Sequence, residues 1–195
     1  MTVLSPPRHP LIDKALRHAQ EWCLGRVVDD RPAIQHAARV AVTLSRHVPT
    51  VGPELVAAVL LHDSPEFAPA DVDLDALVTT EYGPEVRRIV RSMEAEHAAL
   101  DEPDPTIRTG DRPLLLACTA DQIVAFKSLA QRARRSGDVN SFFAARPALL
   151  RLLPHFRAYQ LAGVGLVPFT MSDHLDIVLT VLERMTGPAH AAVAR

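Results

Sequence analysis

The sequence is poor in cysteine, glycine and aromatic residues, and it carries almost no net charge. Of its 195 residues, 2 are cysteine, 8 are glycine and 5% are aromatic. Two cysteines cannot build a disulfide framework in a chain of this length, so we expect reduced thiols and a cytoplasmic location. The formal net charge of -2 provides no broad positive field, so nucleic acid is not an expected partner.

Long apolar runs are also missing. No stretch approaches the roughly 18 uninterrupted apolar residues of a membrane-spanning helix. Residues 1–10 carry Pro6, Pro7 and Pro10 where a signal peptide would have an apolar segment. We therefore expect neither secretion nor a membrane partner, and we predict that residues 1–10 form a flexible N-terminus.

The residues that are abundant favour helices over a sheet. Hydrophobic residues make up 48% of the chain, and most of them are Ala, Leu and Val. Several of the 16 prolines stand where a helix should begin, as Pro32, Pro53, Pro84 and Pro113 do. The sequence predicts an all-α fold with helices near residues 11–25, 32–47, 53–63, 73–80, 84–99, 112–135, 140–153, 155–163 and 171–186.

The length fits one domain with a single core. We place this domain at residues 11–186, with its core at 11–135 and further helices over 140–186, through which a homo-oligomer could form. Residues 187–195 begin with a Gly-Pro helix stop and are predicted to be a flexible tail. The polar, proline-rich segment 100–111 is either a mobile flap or a solvated connector.

Four residues have the side chains and the surroundings of metal ligands. His62 and Asp63 end a run of six apolar residues, and His36 lies in an earlier segment with helical apolar spacing. Asp121 interrupts an apolar helix, where a carboxylate is costly to bury unless it is paired or bound to a metal. A set of two imidazoles and two carboxylates suits Mn²⁺, Fe²⁺ or Zn²⁺, with Mg²⁺ a further option. The alternative is a buried polar network without a metal.

The order and context of these residues carry a resemblance to a known family. LLHDSPE at residues 60–66 is similar to the string LLHD-x-x-E, and TADQIVAFKSL at 119–129 is similar to LADRLHNLRTL. PAIQH at 32–36 and EYGPEV at 81–86 agree with two connecting segments. Over residues 11–135 the chain resembles the HD-domain metal-dependent phosphohydrolases, and within them the small stand-alone RelA/SpoT-type (p)ppGpp hydrolases.

The resemblance implies an all-α HD-domain bundle that binds one divalent ion, most simply Mn²⁺, through His36, His62, Asp63 and Asp121. It implies a phosphohydrolase acting on a nucleotide-like small molecule, either as a ppGpp 3′-pyrophosphohydrolase or as an NADPH phosphatase. A 5′-nucleotidase is a further alternative. Glu66 could orient or deprotonate the attacking water, although it could also be a surface residue after a helix end.

Departures from the family pattern affect the pocket more than the metal ligands. Phe67 replaces the second of two acidic residues, and Ala33, Cys23 and Ala125 replace a Tyr, a His and an Asn. We interpret these changes as a changed or enlarged pocket. They also leave open a catalytically weak HD module that binds a nucleotide or a partner protein.

Cations near the metal would be needed to recognise phosphate. Arg26, Arg39 and Lys127 are candidates for substrate binding, and the alternative for each is a solvated charge. His97 follows two glutamates near a predicted helix end. We interpret His97 as part of a solvated helix end, with a second metal or substrate contact as the alternative.

Overall fold

A computed structural model describes residues 2–28 and 31–193 of the chain, with side chains as far as Gly187. Across the described residues, ten helices and one two-stranded hairpin follow one another. The predicted all-α fold is confirmed. In chain order the elements are α1 Pro10–Trp22, β1 Val27–Val28, β2 Arg31–Pro32, α2 Ala33–His47, α3 Pro53–Leu60, α4 Ser64–Phe67, α5 Leu74–Tyr82, α6 Pro84–Ala99, α7 Arg112–Arg135, α8 Val139–Ala144, α9 Pro147–Ala162 and α10 Phe169–Val193.

Proline and aspartate residues determine where several of the helices begin. Pro53 and Pro84 lie in the first turns of α3 and α6, where a missing N–H costs no helical hydrogen bond. The carboxylates of Asp73, Asp111 and Asp138 accept hydrogen bonds from the free backbone N–H groups at the starts of α5, α7 and α8. These residues therefore fix where the helices begin.

The 24-residue helix α7 runs through the centre of the molecule. It packs against α2 on one side and α10 on another, and its apolar residues, among them Leu115 and Ile123, are almost fully buried. By length and composition α7 could cross a membrane, but 72% of its most apolar window is buried inside the protein, and core helices pass the same test. Burial of α7 fixes Asp121 in the interior.

Helix boundaries differ from the sequence prediction after Leu60 and around Pro154, and α1 ends at Trp22 rather than at residue 25. The predicted helix 53–63 ends at Leu60, and a turn separates it from α4. We predicted that a helix ends at Pro154, yet α9 continues through this residue. The two helices are separated at residues 145–146 instead. Pro154 itself is exposed on α9, so its ring meets solvent there, whereas Leu150, whose carbonyl would accept the N–H that proline lacks, is buried.

The remaining segments agree in part with expectation. Residues 100–111 contain no helix or strand; the segment is attached near its start, because Arg151 donates hydrogen bonds to the carbonyl oxygens of Leu100 and Glu102 at 3.4 Å and 3.1 Å. Helix α10 extends past the predicted end at residue 186 to Val193. The flexibility of the tail and of residues 1–10 stays a prediction.

Candidate metal centre

Three parts of the chain bring histidine and aspartate side chains together. His36 lies on α2, His62 lies in the turn between α3 and α4, and Asp121 lies on α7. Each offers one ligand atom, and these three atoms lie within 4.8 Å of one another. The cluster could therefore hold a metal ion.

The turn that carries His62 and Asp63 follows from the local sequence. Pro65 has no backbone N–H to donate to the carbonyl of Leu61, as a continuing helix would require, and it suits the first turn of the next helix. Helix α3 accordingly stops at Leu60, and Ser64 donates a backbone hydrogen bond to the carbonyl of Leu61 at 2.8 Å. Two ligand-type residues are thus held at the end of a helix whose last six residues are all buried.

The ring of His62 has a defined orientation. Its Nδ1 lies 2.8 Å from the carbonyl oxygen of Val59, and because a carbonyl can only accept, Nδ1 carries the proton and donates it. Nε2 of the neutral ring therefore presents its lone pair. Within the described part of the chain, this buried Nε2 has no hydrogen-bond partner.

Asp63 lies beside His62 at the edge of the cluster. Its Oδ1 is 3.2 Å from Nε2 of His62, in a geometry that makes no hydrogen bond. Its Oδ2 is buried and has no hydrogen-bond partner among the described residues. The predicted ligand Asp63 thus lies next to the three-residue cluster with an unpaired carboxylate oxygen.

Asp121 is the most interior of the acidic residues at the site. Its Oδ1 accepts a hydrogen bond from Nε2 of His36 at 2.8 Å, and its Oδ2 accepts one from Nε2 of His97 at 3.0 Å. Burial alone would raise the pKa of Asp121, but these hydrogen bonds and the nearby imidazoles hold that pKa well below its usual range. Asp121 therefore remains ionised in the interior.

His97 is exposed near the end of α6, as we interpreted it, but it also contacts this site through its hydrogen bond to Asp121. Its hydrogen bond to Asp121 raises the pKa of the imidazole above its usual value. His97 follows Val90 and Met93 at helical spacing, and both are buried. That continuation of the apolar face of α6 is the sequence signal that could have identified it.

The predicted catalytic residue Glu66 lies on the short helix α4 and is exposed. Its carboxylate makes no hydrogen bond or ion pair with the described residues, so no polar contact in that part of the chain fixes its orientation. Phe67, in the position of the missing second acid, is buried. The guanidinium of Arg26 lies over the Phe67 ring, 5.8 Å from its centre, which places Arg26 beside the end of α4.

A small cavity adjoins the cluster on its α9 side. Its volume is about 110 Å³, and its lining includes His97, Asp121 and Ala125. Phe126, Phe156 and Tyr159 form an aromatic wall. The family Asn is replaced here by Ala125, but the cavity is too small for a whole nucleotide, since pockets for such ligands measure about 300 Å³ or more.

The other predicted phosphate contacts, Arg39 and Lys127, lie together at a different place. Both line a separate cavity between α2 and α7, whose lining includes none of the four predicted ligands. Arg39 is exposed one turn after His36, and Lys127 is exposed six residues after Asp121. The structure therefore brings the two cations together at a cavity that the four predicted metal ligands do not line.

Fold and site define an all-α protein with an interior histidine and aspartate cluster that could hold a metal ion. In comparisons with known proteins, no family model matches the chain and no curated protein matches it.

Proposed function

We propose that this chain is a divalent-metal-dependent phosphohydrolase of the HD type, removing phosphate or pyrophosphate from a nucleotide-like substrate. The observation that carries the proposal is the orientation of His62. A metal-binding imidazole commonly donates its second ring N–H to a backbone carbonyl, which aims the other nitrogen at the ion. The bond from Nδ1 of His62 to Val59 has this form.

The surroundings of Nε2 add a second reason. Its lone pair faces Oδ1 of Asp63 at 3.2 Å and Oδ1 of Asp121 at 3.8 Å. A lone pair and two carboxylate oxygens repel one another in a low-dielectric interior unless a positive charge lies between them. The residues therefore fit a cation.

The donor set favours particular ions. Imidazole nitrogens together with carboxylate oxygens suit Mn²⁺, Fe²⁺ or Zn²⁺, and both cysteines lie outside the three-residue cluster. A bound divalent ion would lower the pKa of water and offset the negative charge that develops on a phosphoryl group. We propose one ion, with Mn²⁺ as the first choice.

The remaining residues would support this chemistry. His97 holds Asp121 by donating from Nε2, which fixes the carboxylate in one orientation. Glu66 lies three residues beyond Asp63, and its exposed carboxylate can accept the proton of the attacking water. The 110 Å³ cavity lined by His97 and Asp121 can take a phosphate-sized group, while the rest of a nucleotide would lie outside it.

Product analysis by mass spectrometry tests the proposal. Mn²⁺-loaded protein is incubated with ppGpp, NADPH and nucleoside mono-, di- and triphosphates. We expect phosphate or pyrophosphate release from at least one of them and none by the His62→Ala/Asp63→Ala variant. Glu66→Gln should slow release by roughly a hundredfold or more, whereas Glu54→Gln, an exposed glutamate in the first turn of α3, should not.

A second candidate is a module that binds a nucleotide without hydrolysing it. The burial of Phe67 at the position of the second acid favours this candidate, because only Glu66 then remains for proton transfer. It predicts binding of one member of the panel without any product. Equal product formation by wild type and by Glu66→Gln would remove Glu66 from the mechanism.

A further inference from the structure

Helices α2 and α7 enclose a cavity that is distinct from the metal centre. Its volume is about 230 Å³. The polar residues of its lining are Arg39, Thr43, Arg46, Lys127, Ser128 and Gln131, and the lining contains no acidic residue. Three cations thus surround a space in which no protein anion balances them.

These three cations differ in their ion pairing from Arg88 and Arg91 on α6. Arg88 pairs with Glu85 at 2.7 Å and also with Asp111, and Arg91 pairs with Asp75 at 2.8 Å and with Glu94 at 2.7 Å. Over the part of the chain that the structure describes, Arg39, Arg46 and Lys127 have no such ion pair. Carboxylates thus neutralise Arg88 and Arg91 on α6, whereas no carboxylate of a described residue pairs with the cations around this cavity.

A neutral donor in the cavity wall is also without a partner. Ser128 is only 5% exposed, yet its hydroxyl makes no hydrogen bond to any described residue. Serine in a helix commonly bonds to the carbonyl one turn earlier, as Thr119 does at 2.6 Å. A buried hydroxyl without a partner is costly, so a bound acceptor would supply what this side chain lacks.

The positive charges around the cavity also affect the pKa values of two neighbouring histidines. Burial lowers the pKa of His174, and the charge of Lys127 lowers it further. Burial also lowers the pKa of His47, and the charge of Arg46 adds to that effect. The side of the molecule where α2, α7 and α10 meet therefore disfavours additional positive charge.

We propose that the cavity lined by Arg39, Arg46, Lys127 and Ser128 binds a phosphate or diphosphate group. Its volume of about 230 Å³ is below the 300–1,000 Å³ or so of typical small-molecule pockets, which suits a small anion or one end of a larger ligand. Ser128 follows Asp121 by seven residues, about 10 Å along the axis of α7. The site is therefore separate from the metal centre and does not depend on the proposed hydrolysis.

Isothermal titration with inorganic diphosphate in the presence of EDTA tests this site without a metal. We expect saturable binding by the wild type and by His62→Ala/Asp63→Ala. Arg46→Gln/Lys127→Gln should weaken binding by about a hundredfold, because each lost charged hydrogen bond accounts for roughly tenfold. Arg134→Gln is the control, since Arg134 is exposed on α7 but does not line the cavity.

Ser128→Ala separates a binding role from a structural one. It should weaken diphosphate binding severalfold without lowering the melting temperature, whereas a hydroxyl that serves only the fold would lower the melting temperature and leave binding unchanged. A nucleoside diphosphate is titrated in parallel to identify the natural ligand. If it binds more tightly than inorganic diphosphate, the site takes the diphosphate end of a nucleotide. If it binds more weakly, the site takes a free anion. Binding that survives Arg46→Gln/Lys127→Gln unchanged, or disappears in His62→Ala/Asp63→Ala, would overturn the proposal.

Discussion

Burial controls the reactivity of the two cysteines. Burial, with a further contribution from the charge of Asp63, raises the pKa of Cys23 to about 11. Burial also raises the pKa of Cys118 well above its usual value. At about pH 8 only about one Cys23 thiol in a thousand is ionised, and only the thiolate reacts rapidly with alkylating reagents.

We therefore predict that iodoacetamide at about pH 8 modifies neither thiol in the folded protein within the time that it modifies both in denaturant. Mass spectrometry of the alkylated protein measures this directly. Rapid labelling of Cys23 without denaturant would contradict its burial.

His97 was not identified as a site residue from the sequence, and its contribution can be measured. We expect His97→Ala to weaken metal binding by roughly 10–100-fold, because Asp121 loses the donor that fixes its carboxylate. Metal titration followed by fluorescence quenching of Trp22 or by calorimetry gives the affinity.

His155→Ala is the matched control for His97→Ala. His155 lines the same small cavity from α9 but has no hydrogen bond to Asp121. Equal metal affinity of the His97→Ala protein and the wild type would remove His97 from the site.

Between elements, one arginine joins α9 to α10. Arg157 donates to both carboxylate oxygens of Glu183 at 2.9 Å and 2.8 Å, and it also donates to Asp176 and to Thr180. A planar guanidinium can make these bonds at the same time, whereas the single ammonium of lysine cannot.

We expect Arg157→Lys to lower the free energy of unfolding by about 1–2 kcal/mol. Denaturant unfolding measures the change, and Arg184→Lys, at an exposed position of α10, should leave the free energy within about 0.5 kcal/mol of the wild type. If Arg157→Lys lowers the free energy of unfolding no more than Arg184→Lys does, α9 and α10 are held together by apolar packing alone.

The helices were more predictable than their ends. Proline and aspartate at helix starts allowed α6 and α7 to be predicted with the observed bounds, because these residues act within one turn. Pro154 was misleading, since a proline inside a helix can be tolerated when the tertiary packing of that helix outweighs its cost, and the sequence does not show that packing.

Contacts between distant segments were partly predictable. The sequence singled out His36, His62 and Asp121, which lie up to 85 residues apart and do meet. The sequence also suggested that Arg39 and Lys127 lie near the metal. In the structure, the packing of α2 against α7 groups these two residues with Arg46 around another cavity, and the sequence could not predict that packing. Helix spacing shows which face a residue occupies, not which partner covers that face.

For the whole molecule, the His47 and His174 pair makes stability depend on pH. Nε2 of His47 lies 3.0 Å from Nδ1 of His174. The pKa values of both rings are lowered below 6.5, first by burial and then by nearby charges that include Arg46 for both and Lys127 for His174, while Asp173 opposes this for His174. The unfolded chain therefore binds protons at a higher pH than the folded chain does.

The direction in which the free energy of unfolding changes with pH follows from its linkage to proton binding. The contribution of these histidines is complete above about pH 6.5 and is lost as the pH falls through their lowered pKa values. Carboxylates such as Asp13 and Asp75 have lowered pKa values and lose their contribution only below about 3.8. We predict that His47→Gln/His174→Gln flattens the fall in unfolding free energy between about pH 7 and pH 5.

Denaturant titrations at these two pH values measure that slope, with His155→Gln as the control. Taking the difference from the wild type cancels the titration of all other groups. A slope in the double variant as steep as in the wild type would assign the pH dependence to other residues.

Metal content after loading tests the central claim, that His36, His62, Asp63 and Asp121 hold a divalent ion. Protein is incubated with Mn²⁺, passed through a desalting column and measured by inductively coupled plasma mass spectrometry. We predict about one ion per chain for the wild type and for Glu54→Gln, and almost none for His62→Ala/Asp63→Ala or Asp121→Asn. Full occupancy in the His62→Ala/Asp63→Ala protein, or none in the wild type with Mn²⁺, Fe²⁺ or Zn²⁺, would contradict the claim.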